Sequence, residues 1–256
     1  MIEREFRLFL VAVQFLTRIP IPSFDGFDPS WLDRAAKYFP AVGALVGCLI
    51  AAVILVASSV LPEQLPLVLG LAAGIAVTGA FHEDGLADTA DGLGGGLTRE
   101  RRLEIMKDSR IGTYGAVALI AMFAIKATAL AAVGPITMAM ALIASNAAGR
   151  LATVVVIWVM NYAGDADAAK VKPLATRATN TEVAVAVLLG LIPGLMLLSP
   201  VTMTAGLAAG SLAALALART AQRLIGGYTG DVLGAIEQVF ETAFLVAVAA
   251  VVAGPG

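Results

Sequence analysis

The chain has 256 residues, 59% of them hydrophobic and only 14% charged, with a mean hydropathy of +0.88 and a formal net charge of −2. An ordinary soluble domain is roughly 25% charged, so this composition excludes a soluble globular enzyme, a disordered chain and a secreted disulfide scaffold. The near-neutral charge implies no nucleic-acid partner, and the one cysteine, Cys48, lacks an intrachain partner and reads as a small packed hydrophobe.

What remains is an all-α, polytopic membrane bundle, read as one catalytic domain over 1–256. Residues 5–16 (EFRLFLVAVQFL) lack the layout of a signal peptide and predict a short amphipathic helix at the membrane interface. A helix crosses about 30 Å of hydrocarbon with about 20 apolar residues. Runs at 40–61, 65–81, 111–133, 135–162, 183–199, 200–218 and 232–253 therefore predict about seven spans. The 135–162 run is long enough for one tilted helix or two pieces. The runs are unbroken, which excludes the alternating pattern of a β-barrel.

The basic residues predict the orientation. Arg4, Arg7, Arg18, Arg34 and Lys37 precede the first span, and Arg99, Arg101, Arg102, Lys107 and Arg110 follow the second. Lys170, Lys172 and Arg177 follow the fourth, and Arg219 and Arg223 precede the seventh. Thus 15 of the 17 Lys and Arg fall on one side. That pattern predicts a multi-pass protein of the cell (inner) membrane, with a cytoplasmic N-terminus and cytoplasmic loops at 82–110 and 163–181.

The second span ends in Phe81-His82-Glu83-Asp84-Gly85-Leu86-Ala87-Asp88-Thr89-Ala90-Asp91-Gly92. On a helix Asp84, Asp88 and Asp91 lie within about 60° of one another, and Glu83 is turned by roughly 100°. Three carboxylates on one face repel unless a cation sits among them. Hard oxygen donors suit Mg²⁺, or Mn²⁺, with Asp84, Asp88 and Asp91 as the expected ligands and Glu83 as a weaker candidate. The glycines at 92 and 94–96 read either as a phosphate-cradling backbone or as a helix-to-loop joint. Thr98 reads as the N-cap of a short surface helix. Lys107 and Arg110, flanking Asp108-Ser109, are placed to clamp phosphate oxygens beside the aspartates.

Polar residues inside the spans form a second group. Lys126, Asn146 and Arg150 lie well within apolar runs, and each buried charge costs at least about 2.5 kcal/mol unless paired or hydrated. Asp231, Glu237 and Glu241 open the last span. Asn146, Arg150, Asp231, Glu237 and Glu241 are expected to line a polar substrate cleft, with Asp231 and Glu237 facing the 84–91 helix. The alternative pairs both glutamates with Lys126 or Arg150. His82 is a candidate general base or a hydrogen-bonded structural residue. Trp31, Trp158 and Tyr162 read as interfacial anchors.

The 81–92 stretch, together with Leu103-Glu104-Ile105-Met106-Lys107-Asp108-Ser109-Arg110-Ile111-Gly112-Thr113-Tyr114-Gly115, resembles the signature of the cobalamin synthase (adenosylcobinamide-GDP ribazoletransferase) family. Phe15-Leu16-Thr17-Arg18-Ile19-Pro20 and Gly227-Tyr228-Thr229-Gly230-Asp231-Val232-Leu233-Gly234-Ala235 resemble its terminal motifs. The resemblance implies an integral membrane, Mg²⁺-requiring enzyme of the last steps of vitamin B12 assembly. Its implied substrates are adenosylcobinamide-GDP and α-ribazole or α-ribazole 5′-phosphate, with GMP as the leaving group. A homo-oligomer stays open. It also implies roles for Asp84, Asp88 and Asp91 in metal binding, for Lys107, Arg110 and Arg150 on phosphate oxygens, and for an aspartate or His82 as proton acceptor. Two rival readings stand beside it: a CDP-alcohol type membrane phosphotransferase, and a cation-coupled transporter.

Overall fold

The computed structural model describes residues 2–22, 28, 30–62, 64–164 and 175–254. Lys170 and Lys172 lie outside these residues. The helices are α1 (Ile2–Leu16), α2 (Ser30–Ala35), α3 (Phe39–Ser58), α4 (Leu65–Thr78), α5 (Phe81–Gly95), α6 (Arg99–Met106), α7 (Thr113–Ala131), α8 (Pro135–Val159), α9 (Asn180–Leu197), α10 (Pro200–Ile225) and α11 (Gly230–Val252). Among the described residues there is no strand, only an isolated bridge between Tyr162 and Tyr228.

Local chemistry sets the ends of these helices. Proline stands in the first turn of α3, α4, α8 and α10, where its missing N–H leaves no helical bond unmade. Thr179 and Glu182 form a reciprocal capping box on α9, and Thr229 accepts from Val232 N at the start of α11. Within the 135–162 run, Pro135–Val159 form one unbroken helix, α8, and the chain is extended from Met160. α10 runs to Ile225, two turns past the apolar run, and carries Arg219 and Arg223 on its last turns.

Among the described residues six helical segments are long and apolar enough to cross a membrane: Ser30–Ser58, which ends in α3, and α7, α8, α9, α10 and α11. The bent pair α4–α5 makes a seventh when taken as one broken span. Here the structure differs from the straight span expected at 65–81. α4 has 14 residues, about 21 Å at the helical rise and short of the ~30 Å hydrocarbon core. It stops at two consecutive left-handed residues, Gly79 (φ 67°) and Ala80 (φ 59°), and α5 leaves at 87°. A non-glycine residue in that conformation costs about 1–2 kcal/mol, so the corner needs support. Arg18 N donates to Val77 O at 2.7 Å, and the Phe15 ring meets Phe81 edge-on at 5.3 Å. The N-terminal motif therefore braces the turn that aims α5.

Small residues let the core helices approach closely, as membrane bundles require. The α3–α8 contact is the most extensive and is built on Gly43 and Gly47, where a Cβ would lie 2.2 Å from Asn146 O and 2.7 Å from Ile143 Cα. Gly206 and Gly210 of α10 receive the Phe244 and Phe240 rings of α11. α8 and α11 form the buried centre, and α5 packs mainly on α11 and α7. Cys48 departs from its expected packed role: it is exposed on the outward side of α3.

One end of the bundle collects the loops. Arg99 donates to Ile225 O (2.9 Å) and Ala163 O (3.1 Å), and Arg102 to Leu224 O (3.4 Å). Asp33 of α2 accepts from Thr176 N, and Tyr228 OH donates to Thr176 O. Arg99 and Arg102 thus satisfy the last carbonyls of α10 and tie α6 to the end of α10 and to the segment that follows α8.

Candidate active site

α5 has two functional faces, and its sequence separates them. Asp84 (exposed), Asp88 (half-buried) and Asp91 (8% exposed) share one stripe, outward at Asp84 and covered by the start of α7 at Asp91. His82 and Glu83 point into the bundle. The glycines after Asp91 do not make a flexible joint, because the helix runs on to Gly95. They admit neighbours instead: a Cβ on Gly92 would meet Met106 Cγ at 2.5 Å, and one on Gly94 would meet the Tyr114 ring at 2.9 Å. α6 and the start of α7 therefore lie directly against α5.

Asp91 is anchored by α7. Its Oδ2 accepts from Gly112 N at 2.7 Å and its Oδ1 from Gly115 N at 2.9 Å, so one carboxylate satisfies two of the unpaired N–H groups of a helix start. Each oxygen keeps a further lone pair. Asp231, in the first turn of α11, comes to the same place. The charges acting most strongly on Asp88 are those of Asp231, Asp84, Asp91 and Asp108, all negative. Three separate elements thus converge on Asp88: α5, the α6–α7 loop and the N-terminus of α11.

Asp108 and Arg110 flank this face in the α6–α7 loop. Arg110 Nη2 donates to Asp108 Oδ2 at 2.6 Å, and its Nε and backbone N donate to Oδ1 at 3.0 and 3.1 Å. These bonds hold the Asp108 carboxyl well below the usual range, at about 2. Arg110 is therefore occupied by Asp108, while Lys107 and Ser109 are exposed beside it.

The other polar residues occupy a separate, buried network behind α5. Arg150 Nη1 donates to Glu237 Oε1 at 2.9 Å and to Asn146 O and Oδ1 at 3.1 and 3.0 Å. Lys126 Nζ lies 3.3 Å from Glu241 Oε1 and donates to Gln238 Oε1 at 2.7 Å. Gln238 Nε2 donates to Glu83 Oε1 at 3.3 Å. His82, 4% exposed, lines the same small cavity of about 30 Å³. The expectation that Glu237 faces the aspartates is corrected here: it pairs with Arg150, as the ion-pair alternative held. The reason is helical phase. Asp231, Gly234 and Gln238 share the side of α11 that meets α5, whereas position 237 is rotated by about 120° from 231, towards α8. Asn146, Arg150, Glu237 and Glu241 are thus gathered together, but away from the stripe that carries Asp84, Asp88 and Asp91.

Gln238, Gly112 and Gly115 carry contacts that residue type alone does not announce. A neutral amide between two glutamates in an apolar run was the signal for Gln238. For the glycines the signal is their place at the start of a span that directly follows an acidic helix.

Among the described residues no three His, Cys, Asp or Glu side chains form a ready-made metal cage. Mg²⁺ does not need one: it keeps several waters and binds through one or two carboxylates plus substrate phosphates. An oxygen-only face that runs from exposed Asp84 to half-buried Asp88, with negative neighbours around it, fits that kind of ion.

The model of the cobalamin-5-phosphate synthase family matches residues 8–249. An adenosylcobinamide-GDP ribazoletransferase of Leptothrix cholodnii is 42% identical over 246 residues, 93% of each chain. Relatives of the same name from Shewanella halifaxensis and Shewanella pealeana are 39% and 38% identical, over 92% of each chain. No solved structure matches. Each terminal motif and the whole acidic stretch fall inside the matched region, and the chain belongs to the cobalamin-5-phosphate synthase family.

Proposed function

We propose that this protein is a membrane-embedded adenosylcobinamide-GDP ribazoletransferase, working on the outward face of α5. The observation that carries the site is the gathering of α5, the start of α7 and the start of α11 around one acidic face: Asp91 bonds to Gly112 and Gly115 of α7, and Asp231 of α11 packs on Gly85 beside exposed Asp84 and half-buried Asp88. In the reaction a ribose hydroxyl of α-ribazole, or of its 5′-phosphate, attacks the phosphorus bonded to the cobinamide arm. The new P–O bond forms as the bond to GMP breaks, and the hydroxyl proton passes to an acceptor. The product is adenosylcobalamin or its 5′-phosphate.

Bound Mg²⁺ would supply charge neutralisation for the diphosphate and the leaving GMP. Asp84, Asp88 and Asp231 would hold it, and Asp91 fixes the stripe against α7 by its bonds to Gly112 and Gly115. Lys107 and Ser109 are exposed to meet non-bridging phosphate oxygens. An aspartate of the stripe is the proton acceptor, since His82 is buried on the opposite side of α5. The basic segment 96–112, the loop that carries Arg177 and the α10 end that carries Arg219 and Arg223 gather at this end, which the positive-inside rule assigns to the cytoplasm of the inner membrane. The transporter and CDP-alcohol readings lose their footing once the family match runs from 8 to 249.

Membranes holding the full chain, given adenosylcobinamide-GDP, α-ribazole and Mg²⁺, are expected to release GMP and cobalamin in equal amounts. GMP release without cobalamin, or neither product, contradicts the assignment.

A further inference from the structure

The contact between α5 and α11 is a crossing with a fixed point. A Cβ on Gly85 would lie 2.7 Å from Asp231 O, and one on Gly234 would lie 3.3 Å from Gly85 Cα. The two backbones touch there and cannot approach further. On the outer side of the contact Asp231, whose Cα would lie 3.2 Å from a Cβ on Gly85, stands within electrostatic reach of Asp88, one turn along α5. On the inner side Glu83 accepts from Gln238. The two helices run antiparallel here. Glu83 and Asp88 stand two and three residues from Gly85, about 3 and 4.5 Å along the axis. A change of spacing at the inner end is carried through the fixed point as a tilt and appears at the outer end.

The inner end is held by a relay of defined polarity. Gln238 donates through Nε2 to Glu83 and accepts through Oε1 from Lys126 (3.3 and 2.7 Å). Lys126 is 4% exposed and is held in turn by Glu241. α7, which carries Lys126, is itself tied to α5 by Asp91 on Gly112 and Gly115. The three helices close into a triangle with Gln238 at one corner. A carboxylate there cannot donate to Glu83, and an apolar side chain does neither job.

We propose that Gln238 is a positioning residue: by bridging Glu83 and Lys126 it sets the spacing between Asp88 and Asp231, and so the grip of that pair on a divalent cation. The cation part rests on the functional reading above; the spacing part does not.

The test uses the full chain in nanodiscs with two readouts and no substrate. One is Mn²⁺ binding by the loss of the free-ion EPR signal. The other is the spacing of Asp88→Cys and Asp231→Cys in a Cys48→Ser background, read with bis-thiol reagents of graded length. Gln238→Glu and Gln238→Met are each expected to weaken Mn²⁺ binding at least about tenfold, the range of a lost outer-shell partner, and to shift the preferred reagent length. The polarity swap Glu83→Gln with Gln238→Glu restores donor and acceptor in reversed order, and is expected to return both readouts to within about twofold of the wild type. Should the glutamate variant not fold, the methionine variant carries the comparison. A folded single variant with wild-type Mn²⁺ binding and wild-type spacing overturns the proposal, as does a folded swap that restores neither. If the wild-type chain binds no more Mn²⁺ than Asp88→Asn, the metal reading falls. Spacing then decides alone: an unchanged pattern overturns the role of Gln238, and a shifted one upholds it.

Discussion

Replacing Glu237 by leucine tests whether the buried charges hold the bundle or touch the substrate. Arg150 and Glu237 are 2% and 0% exposed and meet at 2.9 Å. Without Glu237 the guanidinium keeps only the neutral oxygens of Asn146. Breaking one side of a buried pair costs about 3–5 kcal/mol, because the remaining charge stays in a medium that cannot solvate it. For a chain of this length that corresponds to a fall in melting temperature on the order of 10 °C. The double variant Glu237→Leu with Arg150→Met removes both charges and refills the space, so most of the loss is expected to return. The assay is thermal unfolding in detergent, with GMP release measured below the transition. Glu237→Leu is expected to melt early while its remaining folded fraction keeps near-normal turnover. A variant that melts like the wild type but has lost turnover would refute the ion-pair account and return Glu237 to the substrate cleft.

Three further outcomes follow from the geometry. Asp91→Ala removes the acceptor of two backbone N–H groups, and is expected to cost about 2–3 kcal/mol, read as an earlier melting transition. Gly85→Ala forces a Cβ to within 2.7 Å of Asp231 O. The expected strain of about 1–3 kcal/mol outweighs the ~1 kcal/mol that alanine gains in a helix, and normal stability with normal turnover would contradict the close crossing. In a Cys48→Ser background, Gly95→Cys is expected to resist an impermeant thiol reagent from outside intact cells and to react in inverted vesicles; external labelling would overturn the cytoplasmic orientation.

The sequence made much of this legible because hydrocarbon thickness and charge placement act over whole segments. The runs that became α3, α7, α8, α9, α10 and α11 needed no tertiary knowledge. The end of α4 did: nothing in a run of apolar residues marks two left-handed residues at 79 and 80, and the corner is held by Arg18 and Phe15, some sixty residues earlier in the chain. Helical spacing placed Asp84, Asp88 and Asp91 on one side, since that depends only on 100° per residue. It did not separate Glu237 from Asp231, because which side of α11 meets α5 is decided by the Gly85–Gly234 contact. The roles of Arg99 and Arg102 were hidden for the same reason: the carbonyls they satisfy belong to α10, more than a hundred residues away.

The central claim is that the outward aspartate stripe performs a divalent-cation-dependent phosphotransfer. Its most direct test is the Mg²⁺ dependence of GMP release from adenosylcobinamide-GDP by the wild type, Asp84→Asn, Asp88→Asn and Asp231→Asn. These variants leave exposed or half-buried positions isosteric, so their melting temperatures are expected to stay close to the wild type. Turnover is expected to fall at least about 10²-fold in each, the scale of a lost metal-neutralised charge, with chelation abolishing the wild-type reaction. Wild-type turnover by Asp88→Asn at limiting Mg²⁺ would contradict the account.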